Sequence, residues 1–252
     1  MKSLFFIPVF NEYRMFSVVL DELRAAGPVC DAVLLVNNGS TDGSEKLVRQ
    51  SGFPYIDLPK NLGIGFSFIK AVDWALERQF DIFGSIAGNG KMLAAETPRV
   101  LDPILRGEAD YVTGSRFLPG GSFPNLPLFR RSTIPMVNQL VKVLTGISLT
   151  DATCGFRAMR LDILRSAQFD WHASWLNTYG FEYYLYGKVL LARRYRWKEV
   201  PITMRYPPAG QPYTKMKAVV SWYQMIKPWV VARFDGKGFC PEKSTLCQQQ
   251  AS

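Results

Sequence analysis

Short apolar runs alternate with segments of helical periodicity along the first half of the chain, and this alternation is the strongest constraint on the fold. Residues 4–9 form an apolar run typical of a buried strand, and apolar residues then recur at helical spacing over 16–23. Further strand-like runs follow at 32–36, 55–58, 82–87 and 109–114. The alternation predicts a single α/β domain with a mainly parallel, Rossmann-type sheet and helices on both of its faces.

The composition agrees with one globular domain and limits the chemistry. The 252 residues are 48% hydrophobic and 20% charged, which excludes wholesale disorder. Lys and Arg exceed Asp and Glu by 30 to 21, and the net charge of +9 implies an anionic partner. The chain has 1 histidine, which argues against a His-based zinc site or a Ser-His-Asp triad. The sequence has no helix-turn-helix or ribonucleoprotein motif, so we do not expect a nucleic-acid partner.

Four motifs lie in loops at the ends of predicted strands, where parallel sheets bind their ligands. They read IPVFNE at 7–12, VNNGSTDGS at 36–44, NLGIG at 61–65 and GFRA at 155–158. In this order they closely resemble family 2 glycosyltransferases of the GT-A fold, and within that family the dolichol-phosphate mannose synthase-like branch. The resemblance extends over residues 3–217, which is most of the chain.

The resemblance implies a GT-A-like domain that binds a nucleotide-sugar, with GDP or UDP as the nucleotide, and transfers the sugar with inversion. In this branch the acceptor is often a polyprenyl phosphate, and the expected location is cytoplasmic, at the cytoplasmic face of a membrane. No organic cofactor is expected. The resemblance assigns donor binding to a set of polar and flexible positions: Pro8, Asn11, Glu12, Asn37, Asn38, Ser40, Gly63, Asn89, Arg157 and Lys215.

Two departures from the family pattern concern charge. Asn37 and Asn38 stand where the family has two aspartates, and an amide can bond a base or a ribose but carries no charge. The metal-binding Asp-x-Asp of the family aligns with Ala87-Gly88-Asn89, so both carboxylates are missing. Because Mg²⁺ and Mn²⁺ prefer carboxylate oxygens, we predict that either ion binds weakly at Asn89 or not at all.

Lys91 follows this altered motif by two residues. We hypothesise that its ammonium takes over part of the catalytic work of the metal, since a cation beside the diphosphate stabilises the charge of the leaving group. The alternative is a solvated loop lysine, which is the usual situation of lysines. A third interpretation is that the loss of both aspartates marks a relative without catalytic activity.

Arginines are expected to hold the acceptor phosphate, because a guanidinium matches phosphate oxygens with two parallel hydrogen bonds. The resemblance assigns this role to Arg116, which is also expected to be a catalytic residue. It assigns the same role to an arginine near the end of the Pro/Gly-rich loop predicted over 117–131, where Arg130 and Arg131 are both candidates.

Asp151 and Glu182 are the candidate general bases. Three roles are open for Asp151, which could act as a base, pair with Arg157 or cap a turn. A phosphate acceptor is already ionised near neutral pH and needs little help from a base, which favours a structural role for Asp151 with that acceptor. A hydroxyl acceptor would need a true base, and Asp151 or Glu182 would then be required.

The sequence divides into a GT-A-like domain at 1–216, an aromatic and basic helical segment at 217–235 and a flexible tail at 236–252. The middle segment mixes aromatic residues with Lys and Arg, as interfacial helices do, and Lys227-Pro228 is predicted to break it. It therefore either lies on an anionic membrane surface or packs on the domain as a C-terminal helix. No apolar stretch reaches the length of a spanning helix, so we expect any membrane contact to be peripheral or through a membrane partner protein.

Two other functions compete with transfer to a polyprenyl phosphate. The same fold could glycosylate a saccharide acceptor in the synthesis of a cell-envelope glycan, which would require Asp151 or Glu182 as a base. A non-catalytic protein that binds nucleotide-sugars would also suit the missing aspartates. Such a protein would bind the donor without turnover.

Overall fold

A seven-stranded sheet forms the centre of the computed structural model, which describes residues 1–208 and 218–240. The strands are β1 (Ser3–Val9), β2 (Ala32–Asn38), β3 (Tyr55–Leu58), β4 (Ile82–Ser85), β5 (Tyr111–Ser115), β6 (Arg157–Arg160) and β7 (Trp197–Pro201). Their spatial order is β3-β2-β1-β4-β6-β5-β7. Neighbouring strands are parallel except at β6, which runs antiparallel to both β4 and β5. The predicted α/β fold with a mainly parallel sheet is confirmed.

Helices cover both faces of the sheet, as predicted. They are α1 (Tyr13–Ala26), α2 (Ser44–Gln50), α3 (Ile64–Glu77), α4 (Thr97–Leu105), α5 (Leu128–Thr145), α6 (Asp162–Arg165), α7 (Gly180–Ala192) and α8 (Ala218–Phe234). One buried core joins the sheet to α3, α7 and α8 and includes Phe68 and Phe181. The opposite core joins the sheet to α1 and α4 and includes Phe16 and Val100. Successive residues of β1 enter opposite cores, as the two-residue period of a strand requires.

Three local predictions differ from the structure. β6 was not predicted, although its first two residues belong to the motif at 155–158. The strand has only 4 residues, two of them arginines, and thus lacks the apolar run that indicates a buried strand. α5 begins at Leu128, inside the segment predicted as a loop over 117–131. The predicted break at Lys227-Pro228 is wrong, because α8 continues through both residues.

α8 packs on the domain, which is one of the two arrangements expected for this segment. It lies against α7 and α5, and Trp229 is only 1% exposed. The Trp229 ring contacts the rings of Tyr183 and Tyr186. This burial offsets the roughly 3 kcal/mol that a proline costs in a helix interior, which explains how α8 tolerates Pro228.

The chain remains ordered beyond α8, so the predicted flexible tail at 236–252 begins too early. Phe239 forms a strand bridge with Ala167, and the Cys240 N–H donates to the Ser166 carbonyl at 2.7 Å. Residues 236–240 are therefore attached to the domain, and the remainder of the predicted tail lies outside the described residues.

Candidate active site

The loops that follow β1 and β2 are joined by hydrogen bonds at the carboxyl edge of the sheet. The Asn11 N–H donates to Ser40 Oγ at 3.1 Å, and Asn11 Oδ1 accepts the Thr41 N–H at 2.8 Å. The Glu12 N–H donates to Ser44 Oγ at 3.0 Å. The structure thus brings together three residues predicted to bind a donor, Asn11, Glu12 and Ser40, where open α/β sheets bind their ligands.

Asn37 and Asn38 connect the end of β2 to the next strand and loop. Asn37 Nδ2 donates to Asp57 Oδ1 at 2.8 Å, and Asn37 Oδ1 accepts the Ser40 N–H at 3.0 Å. Asn38 Nδ2 donates to Asn61 Oδ1 at 3.1 Å. An aspartate at position 37 would face the Asp57 carboxylate, and two like charges at hydrogen-bond distance destabilise each other. The amide therefore suits this neighbourhood, which gives a structural reason for the first departure from the family pattern.

Gly63 is required by the packing of its loop. Its φ is 96°, and a Cβ at this position would lie 2.1 Å from the Asn177 carbonyl oxygen. The neighbouring Gly65 N–H donates to the Thr178 carbonyl at 2.7 Å. Close contact with this second loop accounts for the glycine without any contact to a donor.

The loop after β4 carries the altered metal motif and lies directly beside β1. A Cβ on Gly88 would be 2.5 Å from the Pro8 carbonyl oxygen, so only glycine permits this approach. Asn89 Oδ1 accepts the Lys91 N–H at 3.3 Å, and the Ala87 side chain offers no ligand atom. Within residues 1–208 and 218–240, no three His, Cys, Asp or Glu side chains are grouped so that they could hold a metal ion. The residues present do not fit a divalent cation.

Arg205 fixes the position of this loop, a role that sequence reasoning missed. Its Nη2 donates to the Gly90 carbonyl at 2.8 Å, and its own N–H donates to the Lys91 carbonyl at 2.8 Å. Its Nη1 lies 2.7 Å from Glu22 Oε1 on α1. Arg205 and Glu22 are far apart in the sequence, and neither belongs to a motif, so no sequence signal indicated the contact.

Lys91 lies in a partly buried, cation-rich position and is not a solvated loop lysine. Its Nζ is 5.6 Å from the centre of the Tyr206 ring. The pKa of Lys91 is lowered to about 8, chiefly by burial and next by the positive charge of Arg130, while Glu12 opposes this shift. Arg130 is half-buried and its positive charge acts on Lys91, whereas Arg131 is exposed. The structure therefore distinguishes the two arginines that the sequence left equivalent.

Arg116 has protein partners for all of its side-chain N–H groups. Asp151 accepts from Nε at 2.6 Å and from Nη2 at 2.5 Å. Thr153 Oγ1 accepts from Nη2 at 2.6 Å. Nη1 donates to the Met204 sulfur at 3.4 Å and to the Tyr206 hydroxyl. These five contacts match the five N–H donors of a guanidinium.

This geometry does not support the phosphate contact predicted for Arg116, and it fits the structural role favoured for Asp151, whose partner is Arg116 and not Arg157. Arg116 is 1% exposed and has no N–H to offer an acceptor phosphate while these contacts persist. Asp151 is 0% exposed, and its carboxylate already accepts from Arg116 and Thr153, so it is not placed to act as a general base. Glu199 accepts the Asp151 N–H at 2.9 Å and holds the backbone in place. The pair is a buried structural element beneath the site.

Arg157 also points into the core, and its predicted contact with a donor stays a prediction. It is 3% exposed and lies 4.8 Å from the centre of the Tyr186 ring. Its Nη2 donates to the Ala152 carbonyl at 3.0 Å, and its Nη1 is 3.5 Å from Glu182 Oε1. Burial raises the pKa of Glu182, and Arg157 opposes this shift. Glu182 keeps 19% of its side chain exposed and so remains a candidate base.

Among the described residues, the predicted cations Lys91 and Arg130 are both partly buried, and the charge of Arg130 acts on Lys91. Lys215, predicted to contact the donor, lies outside the described residues. The site that the described residues define is therefore cationic on one side, with joined polar loops on the other. Such an arrangement suits a ligand with phosphate groups and a polar nucleoside.

Solved structures share the architecture of this chain. The crystal structure of glucosyl-3-phosphoglycerate synthase from Mycobacterium tuberculosis in complex with Mn²⁺, UDP and glucosyl-3-phosphoglycerate matches with a TM-score of 0.65 and 16% identity. The match covers 96% of this chain and 81% of that one. At this identity the similarity establishes the fold, which is that of GT-A glycosyltransferases.

Sequence comparison then gives the family. The profile of glycosyl transferase family 2 matches residues 5–167, and the chain belongs to this family of glycosyltransferases. An undecaprenyl-phosphate mannosyltransferase of Micrococcus luteus is 32% identical over 208 residues, which are 81% of this chain and 83% of that protein. A polyprenol monophosphomannose synthase of Mycolicibacterium smegmatis is 28% identical over 169 residues, 65% of this chain and 63% of that protein. The resemblance stated from the motifs is confirmed.

Proposed function

We propose that this glycosyltransferase moves a sugar from a GDP- or UDP-sugar to a polyprenyl phosphate, with inversion at the anomeric carbon. The relatives named for undecaprenyl phosphate and polyprenol support this class of acceptor. The charge of the site carries the proposal: Lys91 and Arg130 lie at its edge, whereas Asp151 is buried in an ion pair. A cationic site in which the Asp151 carboxylate is already paired suits an acceptor that is itself an anion and needs no base.

The proposed reaction has a simple balance of bonds and charges. A phosphate oxygen of the acceptor attacks the anomeric carbon of the sugar, and the bond from that carbon to the β-phosphate oxygen of the donor breaks. The electron pair leaves with the nucleoside diphosphate, whose negative charge grows and is stabilised by a nearby cation. The products are a polyprenyl phosphate sugar and the nucleoside diphosphate, and an ionised acceptor loses no proton.

We place the nucleoside on the joined loops after β1 and β2, beside Asn11, Glu12 and Ser40, because polar backbone and side-chain groups converge there. We keep Lys215 as a proposed contact of the diphosphate. Mn²⁺ accompanies UDP in the mycobacterial synthase structure. In this chain we propose that Mg²⁺ or Mn²⁺ contributes weakly or not at all, since the single ligand atom at Asn89 already accepts a backbone N–H.

A saccharide acceptor is the second candidate, and Glu182 is the observation that favours it. Its side chain is 19% exposed, and burial raises the pKa of its carboxyl group, which favours a role in proton transfer from a hydroxyl. The ion pair with Arg157 opposes this role because it stabilises the charged carboxylate. We therefore rank the phosphate acceptor first.

A transfer assay with the full chain tests the proposal. The purified protein is incubated with radiolabelled GDP- and UDP-sugars and either a polyprenyl phosphate in detergent micelles or soluble oligosaccharides. We expect label to enter the organic phase with the polyprenyl phosphate alone. Label on the oligosaccharide alone would contradict the proposal and favour the second candidate. Donor binding without any transfer would support the non-catalytic interpretation.

Arg130 and Arg131 form a matched pair for testing the acceptor site. We expect Arg130→Gln to raise the KM for polyprenyl phosphate roughly ten- to a hundredfold, because a charge-assisted hydrogen bond contributes about 1.5–3 kcal/mol. Arg131 is exposed, so Arg131→Gln should change this KM less than about twofold. Steady-state kinetics in detergent micelles measure both values. Equal effects of the two variants would contradict the placement of the phosphate beside Arg130.

We propose that the protein binds peripherally to the cytoplasmic face of a membrane through α5 and α8. Among the described residues, no helix has both the length and the apolarity to cross a bilayer. On α5, Leu128, Met136 and Val143 are 78%, 69% and 73% exposed and recur at helical spacing. The exposed cations Arg131 and Lys142 flank them, which suits an anionic lipid surface. α8 packs against α5 and adds exposed apolar side chains: Tyr223, Val230 and Phe234.

Vesicle co-sedimentation tests this membrane-facing surface. The full chain should bind vesicles of phosphatidylglycerol and phosphatidylcholine and bind phosphatidylcholine vesicles less. We expect Met136→Asp to weaken binding about tenfold or more, because burying a methionine side chain contributes about 1.5–3 kcal/mol. Val18 on α1 is 42% exposed and lies on the opposite side of the sheet, so Val18→Asp is the matched control. Equal losses in both variants would contradict the assignment of this surface.

A further inference from the structure

A nucleotide-sugar site needs positive charge beside the diphosphate, and the loop after β4 indicates how this chain supplies it. The inference rests on the proposed function, in which the leaving diphosphate gains negative charge. Ala87 and Asn89 offer a divalent ion no carboxylate. The rest of the chain that the structure describes holds no alternative cluster of His, Cys, Asp or Glu. The compensating charge is therefore expected from a basic side chain.

Lys91 is held at this edge by contacts on both sides of its loop. Gly88 permits the loop to approach the Pro8 carbonyl, where any side chain would clash at 2.5 Å. Arg205 binds the carbonyl groups of Gly90 and Lys91, both at 2.8 Å. A lysine that only extended into solvent would not need a backbone fixed in this way. These contacts therefore fix the backbone position of Lys91.

The surroundings of Lys91 favour the arrival of an anion. The Tyr206 ring lies 5.6 Å from Nζ, and partial burial removes water from the ammonium. Arg130 brings a second positive charge, while Glu12 supplies a compensating negative one. Because electrostatic attraction strengthens where water is excluded, a phosphate group gains more here than at an exposed lysine.

We propose that Lys91 binds the donor diphosphate in the place of a divalent ion, and that this chain binds its nucleotide without any metal. In this arrangement Lys91 stabilises the leaving diphosphate, while the neighbouring Arg130 holds the incoming acceptor phosphate. An ammonium is a point charge without the fixed coordination geometry of a chelated ion. Nucleotide affinity is accordingly independent of metal supply.

Calorimetric titration with GDP and UDP tests the proposal on the full chain. We expect the Kd of the preferred nucleotide to differ less than about twofold between EDTA and added Mn²⁺. Lys91→Met should raise this Kd roughly ten- to a hundredfold, since a hydrogen bond to a charged group contributes about 1.5–3 kcal/mol. Lys91→Arg should retain most of the affinity. Lys46→Met is the matched control, because Lys46 is an exposed lysine on α2 and the change in net charge is the same. Thermal unfolding verifies that each variant is folded.

Either of two binding results would overturn this proposal on its own. One is a Kd that improves about tenfold or more when Mn²⁺ replaces EDTA, and the other is a folded Lys91→Met variant that binds as tightly as the unaltered chain. Absence of nucleotide binding under both conditions would overturn this proposal together with the proposed function. Binding that needs Lys91 and no metal, without sugar transfer, would leave this inference standing and reject the polyprenyl phosphate reaction. Sugar transfer to polyprenyl phosphate that requires Mn²⁺ would support the proposed function and reject this inference.

Discussion

Replacing Asp151 with alanine is expected to lower the free energy of unfolding by about 3–5 kcal/mol. The substitution leaves the Arg116 guanidinium, which is 1% exposed, without its carboxylate partner. Uncompensated buried charge is among the most destabilising changes that a single substitution can make. For a chain of this length, the expected fall in melting temperature is roughly 6–20 °C, measured by circular dichroism.

Two further variants identify the origin of this loss. Asp162 pairs with Arg165 at the surface and is 58% exposed, so Asp162→Ala should cost less than about 1 kcal/mol. The double variant Arg116→Met/Asp151→Leu removes both charges and should recover much of the stability, because apolar residues of similar volume often replace buried ion pairs without loss. A stable Asp151→Ala protein that transfers no sugar would contradict the structural assignment and return Asp151 to the role of general base.

Trp229→Ala should also lower the free energy of unfolding by about 3–5 kcal/mol, because it creates a cavity where α8 meets α7. Trp229 is 1% exposed and contacts the ring of Tyr186. The control is Tyr223→Ala on the same helix, where the side chain is 63% exposed and the expected change is within about 0.5 kcal/mol. Chemical denaturation measures both values. A small effect in both variants would indicate that α8 does not contribute to the folded domain.

Hydrophobic periodicity predicted most of the fold because most elements carry a local pattern. The apolar run of β1 and the helical spacing in α1 are complete within their own segments. β6 carries no such pattern, since its residues are Arg157, Ala158, Met159 and Arg160, and its pairing with β4 and β5 depends on distant contacts. The break predicted at the proline in α8 was wrong for the same reason. The packing of Trp229 that offsets the cost of this proline is a tertiary contact, which the local sequence does not indicate.

The candidate site was predicted in its location but only partly in its residues. Loops after parallel strands meet at one edge, so the meeting of Asn11 with Ser40 follows from topology. The ion-pair partner of each charged group does not follow from the topology. Arg116 and Asp151 are 35 residues apart, and the sequence does not indicate that they are buried together. The ion pair between Arg205 and Glu22 joins residues that are still farther apart in the sequence, and neither residue belongs to a motif.

The reversed direction of β6 determines what lies beneath the site. Where two antiparallel strands are neighbours, the end of one lies beside the start of the other, and Thr113 near the end of β5 is paired with Arg157 at the start of β6. Arg116 leaves β5 and Asp151 approaches β6 at this same edge. A parallel strand in this position would carry its preceding residues to the far edge of the sheet and separate the two charges. The ion pair is therefore a product of strand polarity, and it could not be transferred to a fully parallel sheet by copying the two residues alone.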